Sequence, residues 1–176
     1  KNVFWSIVFI IVSGACSDRS NETQLAKGID YPDQESWGAT IILTDSSIER
    51  ARIQSGHLEK YNQEQHIMLD ERVKVDFFDK KQVHVAVLNS VRAEVDQKTN
   101  NMKAIGDVIA VSDSGITLHT DTLFWNAKKE QMSTVDSVMI TTLEKDTLYG
   151  IGFESDSDLQ NWTILKPSGV TDRGTQ

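Results

Sequence analysis

The chain has 176 residues, of which 39% are hydrophobic and 25% charged, a balance that specifies a globular domain with a real core and excludes a disordered chain. Its formal net charge is −8 and no basic stripe occurs, which excludes nucleic acid as a partner, since phosphate backbones require clustered Lys and Arg. The single cysteine, Cys16, excludes an internal disulfide and a cysteine-based zinc site.

The first element is a membrane-directed segment. Residues Val3 to Val12 form an uncharged apolar run behind Lys1. The run is too short for a span of about 20 residues but fits a signal-peptide core of about 7–15. Ser13, Gly14 and Ala15 then lead into Cys16, as in a bacterial lipobox, except that Ser13 stands where such boxes usually carry Leu. Two readings follow for residues 1–16: a signal peptide whose Cys16 becomes a lipidation site, or a short uncleaved anchor. Residues 17–36 are polar and unpatterned at their start and read as a flexible tether.

Residues 37–168 read as strand after strand. Val73, Val75 and Phe77 alternate with Arg72, Lys74 and Asp76; Val83, Val85 and Val87 follow; Val91, Ala93 and Val95 alternate with Arg92, Glu94 and Asp96. Ile116 and Leu118, then Val138 and Ile140, repeat the pattern. Period two puts apolar residues on one face and polar residues on the other, and the β-branched content suits strands. Turn residues separate the runs at Asp45-Ser46-Ser47, Thr99-Asn100-Asn101, Ser112 to Gly115 and Glu144-Lys145-Asp146. Ser47 to Lys60 fits either a strand or a short helix. Residues 169–176 are a polar tail.

A degenerate repeat accompanies the strands. Tyr61-Asn62, Val95-Asp96 and Trp125-Asn126 are each followed, at one spacing, by a methionine: Met68, Met102 and Met132. The unit reads as strand, turn, strand, repeated at roughly 30 residues.

The enzymatic templates fail. His57, His66, His84 and His119 are scattered, and no metalloprotease helix, nucleophile elbow or phosphate loop occurs. Gly150-Ile151-Gly152 begins like a dinucleotide fingerprint, but Ser155 stands at the third glycine position. Glu154, Asp156 and Asp158 lack the glycine and terminal glutamate of a calcium loop, with Leu159 and Leu165 in those places. No catalytic residue, cofactor or metal site is expected. What remains is an apolar inner face, carried by Val75, Phe77, Val85, Val108, Leu118, Trp125, Val138, Ile140 and Phe153. Patterning alone favours a closed core over an open trough for this face.

Four stretches carry a family resemblance. Pro32 to Trp37 followed by Ile41, Ala104-Ile105-Gly106-Asp107-Val108, Leu118 to Trp125, and Tyr149-Gly150-Ile151-Gly152-Phe153 through Leu159 occur in order. Together they resemble the LptC family, the membrane-tethered periplasmic proteins of lipopolysaccharide export. The resemblance implies an all-β fold, a twisted open β-jellyroll of consecutive antiparallel strands. It implies a non-enzymatic role at the periplasmic face of the bacterial inner membrane. There the apolar face would become a groove for lipid A acyl chains, with Gly106, Gly150 and Gly152 as motif glycines. Lipopolysaccharide would arrive from an ABC transporter permease β-jellyroll at one sheet edge and leave to an LptA-type protein at the other. The alternatives are a closed-core scaffold lipoprotein and an LptA-like bridge component.

Overall fold

A computed structural model describes residues 31–168; the expected signal or anchor, Cys16, most of the tether and the polar tail lie outside the described residues. The strands are β1 (Gln34–Asp45), β2 (Ile48–Tyr61), β3 (His66–Asp70), β4 (Val73–Phe78), β5 (His84–Ser90), β6 (Arg92–Asp96), β7 (Met102–Ser112), β8 (Thr117–Asn126), β9 (Gln131–Thr141), β10 (Thr147–Asp156) and β11 (Trp162–Ser168). All pairings are antiparallel within one sheet. The ambiguous stretch after Ser47 is strand: β2 runs its whole length against β1, which begins at Gln34 rather than at Trp37.

One line of irregularities crosses the sheet and explains how it hides its apolar face. Gly38 of β1, at φ +62°, lies opposite Gly56 of β2, between the pairs Trp37–His57 and Ala39–Ser55. Gly56 N–H donates to the Glu71 carbonyl at 3.2 Å. Glu71 and Arg72, both at positive φ, break what would be one strand into β3 and β4. Val91 does the same between β5 and β6, and its N–H donates to the Gly106 carbonyl at 3.0 Å. Gly106 and Asp107 are both at positive φ, and the register slips between Ile105 and Val108. The same slip occurs between Thr120 and Phe124 in β8, and between Ile151 and Phe153 in β10, where Gly152 has φ +77°.

Each slip bends its strand, as a bulge does. The buried positions change phase across it: Leu118 and Thr120 before it in β8, Leu123 and Trp125 after. The sheet therefore creases into two layers with their inner faces together. Folding over is the way for a sheet with one apolar face to bury it when no helix covers it, and no helix occurs among the described residues.

The hairpins alternate between the two free ends of the creased sheet. Those at Ser46-Ser47, 79–83, 113–116 and 142–146 close one layer, and those at 62–65, 97–101, 127–130 and 157–161 close the other. The roughly 30-residue repeat is the second set. Val95 pairs with Met102 and Trp125 with Met132, and the spacing recurs in the pair Ser155–Trp162. Its first member is not equivalent: Tyr61 pairs with His66, and Met68 points outward opposite Glu59.

Candidate functional site

The inner faces of both layers form one continuous apolar interior. Val75, Phe77, Leu118, Ile140 and Phe153 are fully buried, and Val108, Trp125 and Val138 are at most 3% exposed. Val85 is the exception among the expected interior positions. It is half-buried on β5, and Ala86 and Leu88 take the inward places. The run Val85-Ala86-Val87-Leu88 is apolar on both faces, so alternation offers no unique phase there, and the neighbouring strand carries a register slip between Phe77 and Phe78.

Phe77 and Trp125 meet across the interior. Phe77 belongs to one layer, paired with Ala51 and Ala86, and Trp125 to the other, paired with Met102 and Met132. Their ring centroids are 5.5 Å apart at an interplanar angle of 61°, the edge-to-face arrangement that ring quadrupoles favour. The Trp125 indole N–H is buried without an acceptor.

The side opposite the crease, the mouth between the two layers, is bridged by Glu130. Its carboxylate lies 2.7 Å from Arg50 Nη2 on β2 and 3.5 Å from Lys80 Nζ in the β4–β5 turn. Its backbone carbonyl accepts from Ser157 Oγ in the β10–β11 turn at 3.3 Å. Glu130 itself sits at φ +54°, a conformation that non-glycine residues rarely adopt. One residue thus ties three elements of both layers. Arg50 reaches it from the slip between the pairs Leu43–Ala51 and Thr44–Glu49, which turns it inward beside Ala51.

A second polar knot ties the β1 edge to the sheet. His57 Nε2 lies 2.8 Å from Glu35 Oε1 and His57 Nδ1 lies 3.0 Å from Asp70 Oδ1. With a carboxylate at each ring nitrogen, both nitrogens donate and the protonated ring is favoured. The Glu35 hydrogen bond raises the His57 pKa most, partial burial opposes it, and Asp70 adds to the rise. Glu35, His57 and Glu59 also bring three ligand-type atoms within 4.8 Å of one another, the one such cluster found among the described residues. Sequence reading set His57 aside as one of four scattered histidines and did not single out Arg50 or Glu130, because their partners are distant in the chain and lie in no recurring motif.

The motif glycines have separate tasks. Gly106 and Gly152 supply the positive φ that the crease needs. Gly150 has an ordinary φ but faces Pro167 of β11; a Cβ there would meet the Ile164 side chain and stand 2.7 Å from the Lys166 carbonyl oxygen.

The free edges of the described sheet are β1, paired only with β2, and β11, paired only with β10. β1 presents Trp37 and Ile42, and β11 presents Leu165, each more than half exposed. The family model for lipopolysaccharide-assembly, LptC-related proteins matches residues 5–170, nearly the whole chain. The chain belongs to the LptC family. None of the curated proteins compared with the chain matches it. The LptC family is a component of lipopolysaccharide transport at the cell envelope, and this chain is therefore involved in lipopolysaccharide transport. Among the described residues no helix is long and apolar enough to cross a membrane.

Proposed function

We propose that the creased sheet is a lipopolysaccharide conduit. It receives the lipid at one free edge from an ABC transporter's permease β-jellyroll and passes it from the other edge to an LptA-type periplasmic protein. The N-terminal segment holds the protein at the periplasmic face of the inner membrane, either through a lipidated Cys16 or as an uncleaved anchor. The observation that carries this reading is the continuous apolar inner face, running from β1 to β11 through Val75, Phe77, Val108, Leu118, Trp125, Val138, Ile140 and Phe153. Val85 is left at the margin of this path.

Acyl chains enter such an interior because each CH₂ removed from water contributes about 0.8 kcal/mol. They enter only when the layers part, since the interior is packed in the closed form. Exposed strand edges invite pairing with another sheet, and a conduit built from stacked sheets uses that tendency for docking.

Photo-crosslinking probes at Ile42 on β1 and Leu165 on β11 test the handover in cells. The conduit reading expects a transporter subunit at one edge and a soluble periplasmic β protein at the other. The same partner at both edges, or none at either in folded protein, contradicts it and favours the closed-core scaffold.

A further inference from the structure

The mouth contains a buried cation that the fold leaves incompletely paired. Arg50 is 5% exposed, and its Nε and Nη1 are buried with no hydrogen-bond partner. Its partner is Glu130, which bonds Nη2 alone. Buried charges are normally paired and fully hydrogen-bonded, and a guanidinium carries donors arranged to grip an oxyanion along two parallel bonds. Arg50 holds such a donor set half-used.

The surroundings fit an anion as well. Arg50 lines a cleft of about 370 Å³ together with Lys80, Lys81 and Lys129. These four cations offset the four carboxylates of the cleft, whereas the whole chain carries a net charge of −8. Four carboxylates share the cleft, but most are engaged locally. Asp79 accepts from the Lys81 and Val83 amides of its own turn at 2.8 Å each. Asp156 accepts from the Gln160 and Asn161 amides and from the Asn161 side chain. Asp158 accepts from the Gln160 amide. Glu130 alone is spent on the cations. Lys81 and Lys129 are exposed and have no carboxylate partner among the described residues.

We propose that Arg50, with Lys80, is a subsite for a phosphate group of the lipid headgroup at the mouth of the interior, and that Glu130 is the internal anion which this phosphate displaces. The proposal rests on the reading of the interior as a lipid path. Displacing the Glu130 carboxylate releases its ties to Arg50 on β2 and to Lys80 in the β4–β5 turn, so headgroup capture and opening of the mouth are one event. Ala51, beside Arg50, pairs with Phe77, so the aromatic contact across the interior lies directly behind the latch.

The test is equilibrium binding of the purified protein to three probes: lipid A with its phosphates, the same lipid dephosphorylated, and inorganic phosphate alone. Arg50→Met should weaken binding of the phosphorylated lipid about tenfold and should not weaken that of the dephosphorylated lipid, as expected for a lost charge-assisted pair. Glu130→Gln keeps every cation and the size of the side chain while removing its charge, and should tighten binding of the phosphorylated lipid several-fold. Equal weakening of both lipids by Arg50→Met, or no tightening in Glu130→Gln, overturns the proposal while leaving the conduit reading intact. Inorganic phosphate bound as tightly as the phosphorylated lipid overturns the headgroup as the source of the anion. Failure of either lipid to bind the wild-type protein counts against the conduit reading, and against the headgroup subsite with it.

Discussion

Phe77 and Trp125 lie edge to face with centroids 5.5 Å apart, one from each layer of the creased sheet. This contact measures whether the layers are closed. Truncating either ring removes a large buried side chain, so Phe77→Ala and Trp125→Ala should each cost about 3–5 kcal/mol in urea unfolding. A double-mutant cycle should return a coupling of about 0.5–1.5 kcal/mol beyond the separate losses. Strict additivity would mean that the two layers do not meet at these rings.

Gly152 and Gly150 should fail in different ways. Gly152→Ala places a Cβ at φ +77° and 2.9 Å from Leu165 Cδ1, so it should destabilise the whole domain by about 1–3 kcal/mol. Gly150→Ala strikes Ile164 and the Lys166 carbonyl, both on β11. Its effect should appear mainly as faster amide hydrogen exchange in β10 and β11, with the rest of the sheet protected. A uniform loss of protection from Gly150→Ala would contradict the local reading.

The His57 knot makes the β1 edge sensitive to pH. Its folded pKa is raised above the ordinary value of 6.5, first by the Glu35 hydrogen bond. A raised histidine contributes stability that is complete below the unfolded value and is lost as pH rises through the folded value. Exchange protection of β1 should therefore fall as pH climbs above about 6.5 and through the raised folded value, after correction for intrinsic exchange. His57→Gln should flatten that dependence. A β1 whose corrected protection stays level through this window in the wild type would show that the knot does not hold the edge.

Much of the fold was legible because alternation is a local signal. Val73-Lys74-Val75-Asp76-Phe77 states its faces outright, and the structure buries the three apolar members. The crease was less legible, because a slip changes the phase without changing the composition: Leu118 and Trp125 are both inward although one is even-numbered and the other odd. Gly106 and Gly152 were its visible marks, whereas Glu71, Arg72 and Val91 mark it with residues that carry no turn signal. Val85 is half-buried against the core rather than within it, on a strand whose two apolar faces leave alternation without a unique phase. The latch could not be read at all. Arg50 and Glu130 are far apart in sequence, and only the folding-over of the sheet brings the start of β2 to the β8–β9 turn.

The central claim is that lipopolysaccharide passes between the two layers. The most direct measurement places a photo-crosslinking residue at Phe77 or at Trp125 in living cells, with outward-facing, exposed Lys74 as the control. The account predicts lipopolysaccharide adducts at both interior positions and none at Lys74. Folded, well-expressed protein that yields no adduct at either interior position, or equal adducts at all three, would contradict it.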